Sequence, residues 1–207
     1  MLAWTGAAAA IVLLALILFW SDLTGKADPT TTPTPSGTTN ATATTPTAPA
    51  SSATPTPDAR SQAVAQAEAR YRSAMAAADR AGHDPRRIDM KALVAAGNTD
   101  PWLADIINDL VFDRDNGYYS TGSVQILSMR ATRVVLTGEQ PSIRLDVCAD
   151  TSKIQSILRS TGKPAPDGPG DIDRPHFTAE MVKTAVPGVN GGKSTWFLKS
   201  NKVVGKC

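Results

Sequence analysis

Histidine and cysteine are scarce in this sequence, and their scarcity argues against metal chemistry. The 207 residues include two of each, and the two histidines, His83 and His176, lie far apart in the chain. A structural zinc site takes four Cys or His ligands at close spacing. The sequence therefore predicts no metal site, and no residue pattern in it calls for a cofactor.

Motifs for nucleophilic catalysis and for phosphate binding are missing as well. No Gly-x-Ser-x-Gly elbow occurs in the chain. Gly192-Lys193-Ser194 matches the end of a phosphate-binding loop, but that pattern needs a glycine where Pro187 stands. The same stretch also reads as a turn between strands rather than the start of a helix. We therefore predict that the protein is not an enzyme.

Clusters of basic residues are also lacking. Without Lys26, Asp22 and Asp28, the remaining 20 Lys and Arg and 17 Asp and Glu give residues 58–207 a formal charge of +3. The tightest basic cluster is the pair Arg86-Arg87. Nucleic-acid binding usually requires basic residues gathered on one face, so we expect no nucleic-acid partner.

Charge is absent from the first segment of the chain, Met1–Trp20, which is dominated by Ala, Leu, Ile and Val. At ~1.5 Å per residue, about 20 apolar residues in a helix cross a ~30 Å hydrocarbon core. Trp4 and Trp20 stand near the two ends, where indoles favour the lipid interface. We predict a retained transmembrane anchor over residues 1–21. The alternative is a cleaved signal peptide, but its apolar region is normally shorter, and Gly25-Lys26-Ala27 is a poor cleavage site.

A second uncharged stretch follows, in which seven of the fifteen prolines lie between Pro29 and Pro57 among Thr, Ser and Ala. Such a composition cannot bury enough apolar surface to fold, and it favours extended conformers. We predict a disordered linker over residues 22–57. Because this linker and the cysteines are typical of exported proteins, we place residues 58–207 on the extracytoplasmic side of a single-pass cell-membrane protein.

The folded part begins with helical patterns. An amphipathic helix is predicted over Asp58–Ala81, with Gly82 ending it and an apolar stripe that includes Tyr71 and Met75. A second helix is predicted over Arg87–Ala96. A third opens with Asp100 as cap and Pro101 in the first turn, and ends before Gly117.

After Gly117 the apolar period becomes twofold, which indicates strands. Three strands are predicted before the irregular stretch: one that starts at Val124, one over Thr132–Leu136 and one over Ile143–Val147. Two more are predicted after it, over Phe177–Val186 and Ser194–Val204. Thr151–Pro175 is irregular. Helices followed by an antiparallel sheet predict an α+β fold, with the sheet curled around the first helix.

Several of these features together resemble a known family. They are Tyr71 in a long first helix, the run Leu145-Asp146-Val147-Cys148-Ala149-Asp150, a terminal hairpin with Trp196, and the final Gly205-Lys206-Cys207. Residues 58–207 resemble actinobacterial exported proteins with a nuclear-transport-factor-2-like (cystatin-like) domain. Two cysteines in an exported domain favour a disulfide. The resemblance implies that the pair is Cys148 and Cys207. Two free buried thiols are the alternative.

The resemblance also implies a conical pocket. Its candidate lining residues in this sequence are Tyr71, Tyr118, Asp146 and Trp196. Enzymes of that fold place an Asp base opposite Tyr or Asp donors, for which the further candidates are Tyr119, Asp150 and His176. None of these residues falls in a diagnostic motif, and Asp146 and Asp150 are better explained as parts of a solvated strand face and a strand-ending turn.

The sequence thus favours a tethered, non-enzymatic protein-interaction or scaffold module. The expected partners are other proteins of the cell envelope, for example those of a type IV secretion or conjugation assembly. The competing hypothesis is a small-ligand-binding protein or enzyme that uses the conical pocket. A pocket filled by bulky side chains would count against that second hypothesis.

Overall fold

The chain forms three helices followed by two antiparallel sheets in a computed structural model that describes residues 57–165 and 173–207. The predicted anchor and the predicted linker up to residue 56 lie outside the described residues. None of the helices in the described ranges combines the length and the apolar character needed to cross a membrane.

The three helices lie close to their predicted positions. Helix α1 spans Pro57–His83, α2 spans Met90–Ala96 and α3 spans Trp102–Asn116. α2 starts later than predicted because the Asp89 side chain caps it, accepting a hydrogen bond from the Ala92 backbone N–H at 2.9 Å.

Two predicted helix boundaries were wrong. Gly82 does not end α1, which continues to His83. Asp100 is not the cap of α3, because Pro101 occupies that position and makes no side-chain capping bond. The end of α3 is as predicted, since Gly117 adopts the left-handed conformation (φ 73°) that closes many helices.

Seven strands make up the two sheets. They are β1 Tyr118–Thr121, β2 Gln125–Val135, β3 Ser142–Asp150, β4 Gln155–Leu158, β5 Lys163–Pro164, β6 Pro175–Thr184 and β7 Thr195–Lys206. The larger sheet has the order β2-β3-β6-β7 and the smaller one β1-β4-β5. Every pairing of neighbouring strands is antiparallel. The helices pack on these curved sheets, which confirms the α+β class.

The strands before Ser142 differ from the prediction. The two strands expected between residues 124 and 136 are one strand, β2, whose register with β3 shifts at Leu127 and again at Thr132. Each shift is a bulge that turns the following side chains to the other face, so the twofold pattern looks interrupted in the sequence. The excursion after Thr151 contains β4, which pairs with the unpredicted strand β1, and β5, which pairs with the other side of β4.

The main core lies between α1 and the inner face of the larger sheet. Alternate residues of β3 (Ile143, Leu145 and Val147) point into it, as predicted, and are fully buried. The other buried members of this core are Ala67, Tyr71, Ala74, Met75, Ala179, Met181, Trp196 and Leu198. A second cluster joins α2 and α3 to α1 through Ala77, Leu93, Leu103, Ile106 and Leu110.

Asn98, which is fully buried, connects the helices to the sheet. Its side-chain amide donates to the carbonyl oxygens of Ala74 (3.3 Å) and Leu93 (3.0 Å), and its Oδ1 accepts from Trp102 Nε1 at 3.2 Å. Its backbone forms a bridge to Leu198 of β7. The side chain of Asn98 therefore joins the three helices, and its backbone joins them to the edge strand β7.

The two cysteines form a disulfide, Cys148–Cys207, with 5.8 Å between the Cα atoms. The bond ties the end of β7 to β3, and the Cys207 backbone N–H also donates to the Arg174 carbonyl oxygen at 2.9 Å. The pairing implied by the family resemblance is thus confirmed.

Candidate functional site

The four candidate pocket residues do not come together. Tyr71 and Trp196 are in the main core, whereas Tyr118 belongs to β1 of the smaller sheet. Asp146 lies on the outer face of the larger sheet, 3.6 Å from Arg130. The structure therefore brings Tyr71 and Trp196 together in the core and places Tyr118 and Asp146 elsewhere.

Tyr71 is held as a structural residue. Its hydroxyl donates to Asn201 Oδ1 at 3.3 Å, and its side chain has no exposed surface. Burial raises the pKa of the phenol well above its ordinary value. A neutral phenol with a filled hydrogen bond and no solvent access is a packing element rather than an acid or base.

The remaining candidates for chemistry are also accounted for locally. Asp150 accepts hydrogen bonds from the Ser152 backbone N–H (2.9 Å) and hydroxyl (2.6 Å), which lowers the pKa of its carboxyl group. This arrangement is a turn motif. His176 is the register partner of Cys148 on the outer face of the sheet. Tyr119 carries the Arg159 guanidinium over its ring at 4.7 Å.

A cavity of about 270 Å³ lies elsewhere, between α1, α3 and β1. Its apolar walls include Met75, Trp102 and Ile106. Its polar groups are listed here: Asp79 and His83 from α1, Asp109 and Asp113 from α3, and Ser120 from β1. We refer to this space as the acidic cavity.

The carboxylates of the acidic cavity are partly removed from water. Burial is the main cause that raises the pKa of Asp79, Asp109 and Asp113. Repulsion from the carboxylate one turn earlier on α3 also raises the pKa of Asp109 and of Asp113. Asp79 differs from the other two because its Oδ2 accepts a hydrogen bond from the Val124 backbone N–H at 3.0 Å. Asp79 thus positions the start of β2. No comparable hydrogen bond among the described residues gives Asp109 or Asp113 a structural role.

The rim of the acidic cavity is fixed by a close backbone approach. His83 Nε2 donates to the Gly122 carbonyl oxygen at 2.7 Å. Gly122 has φ +80°, and a Cβ atom there would lie 2.0 Å from the Lys153 carbonyl oxygen. Only glycine fits this position, because the backbone of Lys153 lies so close. The hydrogen bond from His83 holds the loop between β1 and β2 against α1. Within the described residues, no group of three or more His, Cys, Asp or Glu side chains is placed to bind a metal ion.

A second concave region runs along the edge of β2 that has no neighbouring strand among the described residues. Two depressions, of about 470 and 410 Å³, lie in succession between α1 and β2. Their lining from α1 is Arg60, Ser61, Val64, Ala65, Glu68, Arg72, Met75, Ala76, Asp79 and Arg80. The lining from β2 and the residues before it is Ser123, Val124, Gln125, Ile126, Met129, Arg130, Ala131 and Val134. We call the two depressions together the edge groove.

Neither the acidic cavity nor the edge groove was predicted from the sequence. The signal for the cavity was a four-residue repeat of carboxylates, Asp105, Asp109 and Asp113, along α3. Asp79 and His83 have the same spacing on α1. This spacing places the side chains on one face of each helix. Which face remains uncovered depends on how the helices pack, so the repeat alone does not locate a cavity.

The described fold thus defines an α+β domain with an open sheet edge at β2 and a partly buried acidic cavity. No protein-family model matches the chain, and no curated protein matches it. Among solved structures, the chain is similar to the intermembrane space region of the chloroplast protein ARC6. The TM-score is 0.46 at 9% sequence identity, over 66% of this chain and 92% of that chain.

Proposed function

We propose that this protein is a membrane-tethered, extracytoplasmic domain of the nuclear-transport-factor-2-like type, and that it works as a non-enzymatic interaction or scaffold module in a cell-envelope assembly. A type IV secretion or conjugation apparatus is the specific assembly that fits this proposal. The uncharged opening segment and the proline-rich linker of the sequence supply the tether.

One observation carries the non-enzymatic part of the proposal: the space between α1 and strands β3, β6 and β7 of the larger sheet is filled. Tyr71, Leu145 and Trp196 occupy it, each with 2% or less of its surface exposed. A catalytic or ligand-binding cone needs open volume with converging polar groups. Here the same space is packed as a core.

Exposed apolar side chains support the interaction part of the proposal. Phe112, Leu127 and Val203 are 60%, 49% and 52% exposed. Each belongs to a different element (α3, β2 and β7). Large exposed apolar side chains are common anchors of protein interfaces, although single ones also occur on ordinary surfaces.

The proposal is tested by photo-crosslinking in intact cells. A photoreactive amino acid replaces Phe112, Leu127 or Val203 in the full chain, with exposed Lys91 of α2 as the comparison position. We expect discrete crosslinked envelope proteins from at least one of the three positions and none from position 91. Recovery of the intact full chain as a soluble cytosolic protein with reduced cysteines would overturn the proposal, as would the absence of crosslinks at all positions.

The acidic cavity favours a second candidate function, the binding of a small cationic ligand. Its volume of about 270 Å³ lies just below the usual ~300–1,000 Å³ of ligand pockets, so a ligand would be small. A panel of small organic amines should raise the melting temperature if this function is correct. The rise should disappear in Ala78→Leu, which extends a larger side chain into the cavity. No rise with any amine would leave the interaction module as the better explanation.

A further inference from the structure

Strand β2 is the open edge of the larger sheet. The sheet order β2-β3-β6-β7 leaves β2 with a neighbour on one side only. Among the described residues, the hydrogen bond made to its other side comes from a side chain, Arg60 Nη1, which donates to the Val134 carbonyl oxygen at 3.4 Å. An edge strand of 11 residues (Gln125–Val135) therefore keeps most of its outward backbone groups available for pairing.

The edge groove runs along this open edge. Its lining from β2 is largely apolar, with Ile126, Met129 and Val134 all half-buried. In a strand added to β2, alternate side chains would point toward α1 and the other half toward solvent. The groove thus offers backbone pairing and apolar space to the same added segment.

The charge of the edge groove is positive. Four arginines (Arg60, Arg72, Arg80 and Arg130) line it, against two carboxylates (Glu68 and Asp79). Arg130 is near Asp146, but among the ion pairs of the described residues none involves Arg60, Arg72 or Arg80. Asp79 already accepts a backbone hydrogen bond from Val124. Helix α1 therefore presents a row of arginines beside the open edge.

From these observations we infer that the edge groove binds an extended, acidic segment of a partner protein, which adds as a strand to β2 and sets its carboxylates against the arginines of α1. This inference rests on the proposed interaction function and assigns its docking site. Main-chain hydrogen bonds to an exposed edge supply affinity in such complexes, and alternate side chains supply specificity.

Charge decides against a second copy of this chain as the occupant. Pairing β2 with β2 of another molecule would bring together two strands that each carry Arg130 and Arg133, and two grooves with the same positive excess. Like charges that face each other across an interface disfavour it. An acidic segment removes that repulsion, and its backbone also pairs with the free N–H and C=O groups of β2.

The test uses the full chain in detergent micelles and a short fluorescent peptide that alternates valine and glutamate. Fluorescence anisotropy should show saturable binding that weakens as salt is raised. The double variant Arg60→Glu/Arg72→Glu should weaken binding by about tenfold or more, since each reversal replaces an attraction with a repulsion. The matched control Lys91→Glu/Lys193→Glu makes the same charge change at exposed positions outside the groove and should bind as the wild type does.

Two further peptides test strand addition itself. A peptide with N-methyl groups on all of its amides loses its backbone donors, and a peptide of the same composition with its glutamates in one block loses the alternation. Both should bind about tenfold more weakly, because pairing and side-chain placement are each lost. Equal binding by all three peptides, or by a valine–lysine peptide, would overturn the inference.

Other occupants give different results. Concentration-dependent dimers in sedimentation that exclude the peptide would assign the groove to a second copy. Vesicles of phosphatidylglycerol that displace the peptide and lose binding in the Arg60→Glu/Arg72→Glu variant would assign it to lipid. Either result overturns the inference. If crosslinks arise in cells at Phe112 or Val203 while the peptide fails to bind, the docking site is wrong but the interaction function stands. If no position crosslinks in cells, the proposed interaction function is itself wrong, whatever the peptide does.

Discussion

Helix α1 is packed in two different ways along its length. Ala67, Tyr71 and Ala74 have no exposed surface where they meet the larger sheet. One turn later, Ala78 and Asp79 face the acidic cavity instead. The first half of this contact is filled by aromatic and aliphatic side chains. The second half combines apolar walls with carboxylates from α1 and α3 and leaves open volume between them.

This difference indicates where function can be sought. A filled interior resists change, since removing atoms leaves a void with lost contacts. A polar cavity and an open edge tolerate change, and they are the places at which a partner could add contacts. The predictions below test this contrast by perturbing the packed part, its tether, the rim of the cavity and the cavity itself.

The largest effect is expected from Trp196→Ala in the packed core. Trp196 is 2% exposed, and truncating a buried Trp typically costs about 3–5 kcal/mol in the free energy of unfolding. Phe112→Ala removes an aromatic ring that is 60% exposed and should cost less than about 1 kcal/mol. Urea denaturation followed by circular dichroism measures both. Similar losses for the two variants would contradict the contrast between core and surface.

Loss of the disulfide should also have a large effect. Cys148 and Cys207 are 59 residues apart, and closing a loop of that length stabilises by about 4 kcal/mol on the chain-entropy model. We expect Cys148→Ser/Cys207→Ser to lose roughly 2–4 kcal/mol. A reducing agent should lower the melting temperature of the wild type and leave the double variant unchanged. A reductant effect of equal size on both proteins would refute this assignment.

Glycine substitutions test the rim of the acidic cavity. Gly117 and Gly122 both have positive φ (73° and 80°), but a Cβ at Gly117 meets nothing within 4 Å, whereas at Gly122 it would strike the Lys153 carbonyl oxygen. Gly117→Ala should cost about 1–2 kcal/mol for the left-handed backbone alone. Gly122→Ala should cost about 1–3 kcal/mol more, because the backbone must also shift. Thermal unfolding compares the two, and equal costs would show that the loop can move away.

The smallest effect, of opposite sign, is expected inside the acidic cavity. Asp109→Asn removes two like-charge pairs on α3, with Asp105 and Asp113, each worth about 0.2–0.5 kcal/mol. The variant should therefore unfold about 1–3 °C higher at pH 7.

The pH dependence of this gain follows from the direction of the pKa shift. Burial raises the pKa of Asp109 above its ordinary value of 3.8, so the folded state binds its proton more tightly than the unfolded state. The wild type then loses stability as pH rises from 3.8 through the raised pKa. The advantage of Asp109→Asn should be full at pH 7 and vanish below pH 3.8. An advantage that does not change with pH would show that the carboxylate is not strained in the cavity.

Much of the packed part could be predicted from the sequence. Tyr71 lies on a regular apolar stripe, and Leu145 lies in a strand that alternates without interruption. Such periods report directly which face is buried. The turn before Ser194 was also recognised as a connection between strands, and Gly191 and Gly192 there adopt the positive φ that such turns need.

The open parts could not be predicted in the same way. The bulges at Leu127 and Thr132 depend on the pairing of β2 with β3, so they break the pattern without a local sequence signal. Strands β1 and β4 are short and half-buried, which leaves little periodicity to detect. The acidic cavity and the edge groove are defined by what fails to cover α1, and a linear pattern reports only what each element can bury.

The two margins of the larger sheet are unequal, and this has a consequence for stoichiometry. At the β7 margin, the Leu198 N–H donates to the Gly97 carbonyl oxygen (2.7 Å), and its own carbonyl oxygen accepts from the Thr99 N–H (3.1 Å). A guest strand arriving there would have to break these bonds. Strand addition is therefore less favourable at this part of β7 than at β2, which favours finite one-to-one complexes over open-ended fibres.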